Sequence, residues 1–204
     1  MNIKPTRSEL IKLKNKIKLA KSGYKLLKKK RDGLILEFFD ILKESKSVRG
    51  EMTQKYKEAL QKINTARITN SDLAIKSASL AITKQPIVDV VSKNIMGVVV
   101  PNISHDNIKK EFLSRGYGLF TSASISEAAE SYEELLEYII LVAEVETSML
   151  RLLEEIDKTK RRVNALEFEV IPKLDKAKQF IELRLEEQER ETVFRSKMIK
   201  KKNR

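Results

Sequence analysis

Cysteine and tryptophan are both absent from this chain of 204 residues. Without cysteine there is no disulfide framework, no thiolate zinc site and no thiol nucleophile. Histidine occurs once, as His105, which excludes a multi-histidine metal centre. Glycine and proline number only 6 and 4, whereas sandwiches, barrels and doubly wound sheets use one or the other at most turns. No apolar run approaches the roughly 18 residues of a membrane span. Lys4, Arg7, Lys12 and Lys14 interrupt the stretch where a signal peptide carries its apolar core. The expectation from these absences is a soluble, intracellular protein.

What is abundant is charge. Charged residues form 34% of the chain against 41% hydrophobic, with a formal net charge of +12, a mix that suits long helices or a coiled coil. Leu10, Leu13, Ile17, Ala20, Tyr24, Leu27, Arg31, Leu34, Phe38 and Ile41 follow one another in steps of three and four, the seam of a heptad repeat. Val48, Met52, Tyr56, Ala59, Leu60 and Ile63 continue the apolar set. Thr6 and Glu9 stand at capping-box spacing after Pro5. A second seam runs through Tyr138, Val142, Val145, Met149, Leu152, Ile156, Thr159, Val163, Leu166 and Val170. It then moves by one residue to Ile171, Leu174, Lys178, Ile181, Leu185, Gln188 and Thr192. Pro172 removes a helix hydrogen bond at that point, so a kink is expected there. Two helices of ~60–70 residues, ~90–105 Å each, predict an antiparallel pair.

The fold class expected is therefore mainly α, a long antiparallel two-helix coiled coil with a small middle knob containing a short β-hairpin. Residues 1–204 form a single elongated domain in this reading. Its N-terminal long helix covers 6–64, its middle region 65–132, and its C-terminal long helix 133–200. The hairpin is expected at about 86–101, where β-branched residues stand between Pro86 and Pro101. Gly116, Tyr117 and Gly118 predict a turn, and His105 an exposed loop residue.

Charge has a direction along the chain. Residues 1–31 hold twelve Lys or Arg and one acid, residues 195–204 hold six bases and no acid, and residues 127–146 hold seven Glu and no base. In an antiparallel pair both basic segments meet at one tip. Glu182, Glu186, Glu187, Glu189 and Glu191 are expected alongside Lys12, Lys14, Lys16 and Lys18, where flanking pairs set register more than they add stability. The glutamates of 127–146 read mainly as a solvated face. No phosphate-cradling loop, catalytic pair or metal-ligand spacing occurs, so neither an enzyme nor a cofactor is expected. A nucleic-acid-binding coiled coil acting through its basic tip is the alternative function.

Several segments resemble the D subunit of the V-type and A-type rotary ATPases. They are Asn2 to Leu10 with Leu13 and Lys14, then Gly23 to Lys28 with Lys30, Arg31 and Asp32, and Val91 to Pro101 in the middle. Further on, Lys160 is followed by Arg161, Arg162, Val163, Asn164, Ala165, Leu166 and Glu167. Ile171, Pro172, Lys173 and Leu174 come next, and Leu185 to Arg190 after them. The resemblance implies a non-catalytic central-stalk rotor component that carries torque between the ATP-hydrolysing or ATP-synthesising head and the membrane ion-translocating ring. It implies as partners the A-type and B-type head subunits, a small F-type rotor subunit and a C/d-type adaptor on the membrane ring. No nucleotide is bound directly and no nucleic acid is expected. The site would be the cytoplasmic face of the cell membrane, as a peripheral part of the complex. Two contact regions are expected. The head would grip Val193, Phe194, Arg195, Lys197, Met198, Ile199, Lys200 and Lys201, where both basic ends converge. Asn94, Ile95, Met96, Val98 and Val100 of the hairpin would form a lower contact.

Overall fold

The computed structural model describes residues 4–82, 87–105, 115–116 and 121–202. Among these residues four α-helices and one two-stranded sheet follow one another. They are α1 (Arg7–Thr69), α2 (Asp72–Ala81), β1 (Val88–Ile95), β2 (Val98–His105), α3 (Ala123–Ala165) and α4 (Ile171–Lys202). Between α3 and α4 the backbone makes a π turn, Leu166–Val170. The protein is mainly α with a small antiparallel β-hairpin, as expected. Helix α1 runs to Thr69 where 64 was expected, and α3 begins at Ala123, well before 133. The hairpin is centred later than 86–101: Pro101 lies inside β2, and His105, expected in a loop, ends that strand opposite Val88. Pro86, Tyr117 and Gly118 lie outside the described residues.

The chain packs as two units, residues 1–33 with 156–204 and residues 34–155. In the first, Leu13, Ile17, Thr159, Val163 and Ile181 are buried. They are the predicted seam positions of α1, α3 and α4. Three ion pairs flank that seam: Arg7–Glu189 at 2.6 Å, Lys14–Glu182 at 3.0 Å and Lys21–Asp175 at 3.6 Å. Each step of seven along α1 is answered by a step of seven backwards along α4, the signature of antiparallel helices in heptad register. Of the other predicted flanking residues, Lys12 pairs within its own helix with Glu9, Glu187 with Arg184 and Glu191 with Arg195.

The one-residue slip in the second seam has a structural cause. Ile171 N–H donates to Leu166 O, five residues back, so the turn before Pro172 holds one residue more than an α-turn. No position between Leu166 and Ile171 is half-buried, Val170 standing at 37% exposure, and the expected seam residues Ile171, Leu174 and Lys178 are half-buried after it. The π turn, not the proline alone, accounts for the change of phase.

In the second unit the α1 seam continues at Leu34, Ser45, Ala59 and Ala66. Tyr56, expected on the seam, is half exposed. Lys55 takes the seam-side position instead and reaches Glu134 of α3 at 3.3 Å. Small residues dominate the packing: Ala66 of α1, Ala78 of α2 and Ala128 of α3 are buried with Ile125 in one cluster. Asn70 ends α1 by returning its N–H and its side-chain amide to Ala66 O. Its amide also meets Ser124 Oγ. Ser71 then caps α2, its Oγ accepting the Ala74 N–H.

Candidate docking surfaces

No arrangement among the described residues suggests a reaction. No group of three His, Cys, Asp or Glu side chains that could hold a metal occurs among them. No described helix is long and apolar enough to cross a membrane. The surfaces that stand out are exposed apolar residues at particular places in the fold.

The first lies at the end of α4. Beyond Glu189, the last residue of the heptad ion-pair ladder, α4 runs on to Lys202 with every side chain exposed. Val193, Phe194, Met198 and Ile199 lie among Arg195, Lys197, Lys200 and Lys201 there. Phe194 is 65% exposed and lines a shallow groove with Val193, Glu186, Glu189, Arg190 and Lys197. Such a run of large apolar side chains on an otherwise charged helix is costly to hydrate and fits a surface that another chain covers.

The second is the Lys160–Glu167 segment and the π turn. Val163 is buried, whereas Arg161, Arg162, Asn164, Ala165 and Glu167 are exposed and Leu166 is half-buried. Phe168 projects from the π turn at 75% exposure. Sequence reasoning missed this aromatic because a regular heptad leaves no reason to look off the seam. Lys173 holds the Glu169 carboxylate by an i,i+4 hydrogen bond, which lowers its pKa below the ordinary carboxylate value.

The hairpin is the third. Met96 and Gly97, both at positive φ, form its two-residue turn, and Asn94 Oδ1 accepts the Gly97 N–H at 2.7 Å. Asn94 is thus a turn-forming residue. Val98 and Val100, expected among the contact residues, are buried in the protein's own packing, Val100 at 2% exposure. Ile95 is half-buried and Met96 exposed. The valines that face solvent are Val88, Val90, Val91 and Val99, of which only the general β-branched bias gave a hint.

One electrostatic site was not foreseen. Arg115 is almost fully buried, its Nε and Nη2 donating to the Glu133 carboxylate at 3.1 and 2.9 Å and its Nη1 to Ser126 Oγ. Glu130 adds a second carboxylate at 3.5 Å. Next to it, Gly116 has φ +88°, and a Cβ there would stand 2.5 Å from Ala81 O. These two residues thus lie against α3 and α2, Arg115 through its ion pairs and Gly116 through its close approach to Ala81. Part of the glutamate run read as a solvated face therefore works in cross-element pairs, Glu146 with Arg49 and Glu134 with Lys55 included.

Comparison with known proteins adds a family to these surfaces. The family described as the D subunit of ATP synthase matches residues 9–201. A protein of Methanococcoides burtonii, named as the D subunit of an A-type ATP synthase, is 58% identical over 200 residues, covering 98% of this chain and 97% of its own length. Proteins of the same name from Methanoregula boonei and Haloquadratum walsbyi are 55% and 51% identical, each over 98% of this chain. With the match running through the seams, the hairpin and the π turn alike, the chain belongs to the family of ATP synthase D subunits.

Proposed function

We propose that this protein is the central rotor subunit of an A-type ATP synthase. It carries torque between the nucleotide-handling head and the membrane ion-translocating ring, and has no catalytic group of its own. The observation that carries the reading is similarity along nearly the full length to proteins named as D subunits of A-type ATP synthases. The physical character of the chain supports it. Long helices locked by a heptad seam resist twisting without a globular body.

In this reading the end of α4, Val193 to Lys201, is gripped by head subunits of the A and B types. A small F-type rotor subunit and a C/d-type adaptor bind elsewhere along the chain. Asn94 and Met96 at the hairpin turn contribute to a lower contact. As a peripheral component of that complex, the protein lies at the cytoplasmic face of the membrane. A nucleic-acid role is disfavoured because Arg7, Lys14 and Lys21 of the basic segment are already paired with carboxylates.

Co-purification of the tagged chain from its native membranes tests the reading. Recovery of ATPase head subunits with a small rotor partner is expected, while nucleic acid without them would overturn it. Removing residues 193–204 is expected to abolish coupling of ATP hydrolysis to rotation and leave helix content nearly unchanged. Undiminished rotation would remove the α4 end from the head contact.

A further inference from the structure

The two edges of the hairpin are not equivalent. Its two-residue turn closes on the Ile95–Val98 pair, so hydrogen-bonded pairs alternate from there to Lys93–Val100 and Val91–Asn102. Pro101 falls opposite Ser92, at a position whose N and C=O point away from β1. Having no N–H, it blocks the free edge of β2. Its outward carbonyl lies 3.5 Å from Ser148 Oγ of α3, so that edge is also covered. Strand β1 has neither protection. By the same alternation the N–H and C=O groups of Val88, Val90, Ser92 and Asn94 point away from β2, and no third strand exists among the described residues. Seven of the eight β1 residues are exposed, Val90 at 66%. An open, proline-free edge with exposed valines is a template for another strand.

We infer that the β1 edge pairs with the β1 edge of a second copy of this chain when the protein is free. The strand is complementary to itself. An antiparallel register centred on Val91 sets Asp89 of each copy opposite Lys93 of the other, Val90 opposite Ser92, and Val88 opposite Asn94. Val90, Ser92, Val88 and Asn94 all carry outward-pointing backbone groups, so they form the hydrogen-bonded pairs. Val91 meets Val91 at the close, non-hydrogen-bonded position. Two cross-strand ion pairs, one valine contact and a row of backbone bonds follow from one two-fold axis. The short strand makes this a weak, concentration-dependent dimer, independent of the rotor reading.

Sedimentation of the full chain over a range of concentrations tests it, with charge reversal as the discriminating step. D89K sets lysine opposite lysine twice, and K93D sets aspartate opposite aspartate twice. Each is expected to weaken the dimer about tenfold. The double variant D89K/K93D restores the pairs with signs exchanged and should return affinity to within about twofold of the original. Ser92→Pro, which mirrors Pro101 and leaves the hairpin's own ladder intact, should abolish dimerisation. In hydrogen exchange the amides of Val88, Val90, Ser92 and Asn94 should gain protection with concentration, while those of Val91 and Lys93 are protected throughout. A chain that stays monomeric at every concentration would overturn the inference. So would failure of the double variant to rescue, or protection of the outward amides only in an assembled ATPase, where the occupant would be another subunit's strand.

Discussion

The two packing units solve the same problem, holding helices side by side, with different residues. In residues 1–33 and 156–204 the buried seam is built from Leu13, Ile17, Val163 and Ile181, and ion pairs recur at strict heptad intervals beside it. In residues 34–155 three leucines are buried, but so are Ser45, Ala59, Ala66, Ala78, Ala128, Ser131 and Ser148. There the ion pairs keep no common step, since Arg49–Glu146 and Lys55–Glu134 are six residues apart on α1 and twelve on α3. Large interlocking side chains suit a uniform two-helix register, whereas alanine and serine let helix backbones come close where a third helix and a hairpin also pack. The first unit is held by volume and the second by closeness and buried polar contacts.

That contrast predicts different weak points. The largest effect is expected in the second unit, where Arg115→Ala leaves Glu133 without its bidentate partner. Urea unfolding should show a loss of about 3–5 kcal/mol, the usual result of breaking one side of a buried pair. Truncation and enlargement should then act oppositely in the two units. Ile181→Ala leaves a cavity in the first seam and should cost about 2–5 kcal/mol. In the second unit Ala66→Leu should cost about 1–3 kcal/mol by overpacking the cluster with Ala78 and Ala128. If Ala66→Leu were neutral, closeness would not be what holds that unit.

A smaller effect of opposite sign is expected at Thr159, 1% exposed with an Oγ1 that has no hydrogen-bond partner. Thr159→Val removes a buried unsatisfied hydroxyl and should raise stability by about 1 kcal/mol in the same assay. The smallest effects are pH-dependent. Hydrogen bonding to Glu134 raises the Lys55 pKa, so that pair's stabilisation is complete below the ordinary lysine value and is lost as pH rises through the raised one. Glu169 is lowered by Lys173, so its contribution is present above the ordinary carboxylate value and is lost as pH falls through the lowered one. Thermal melts of Glu134→Gln and Lys173→Gln against pH should differ from the parent chain in these opposite windows.

Much of this division was legible in the sequence, and the reason is periodicity. Steps of three and four from Leu10 to Ile41 are a direct image of one helix face, and the structure buries or half-buries every one of those positions. The one-residue slip after Val170 was legible as well, although its cause was not: a proline is a visible letter, a π turn is a hydrogen-bond pattern. Helix ends were misplaced where the signal lay in Thr69 and Asn70, which meet Ser124 across 55 and 54 residues of sequence only after folding. Arg115 was invisible because nothing in its neighbours marks a buried cation. The apolar end of α4 could be picked out because it interrupts a run of lysines, while Val98 and Val100 looked identical to the exposed valines beside them until the pairing fixed which face each strand residue occupies.

The heptad ladder of the first unit has one more consequence. Every rung carries the base on α1 and the acid on α4, so sliding one helix by a full seven residues would set Lys14 against Glu189 and Lys21 against Glu182, with charges still matched. The ladder thus behaves as a periodic potential, steep against fractional slips and degenerate against whole ones. Only an aperiodic feature can lift that degeneracy, and the π turn is one: it shifts the phase of α4 at a single place, so a slipped helix would carry the fault away from the side chains that accommodate it. What looks like a defect in the repeat works as the index mark of a vernier.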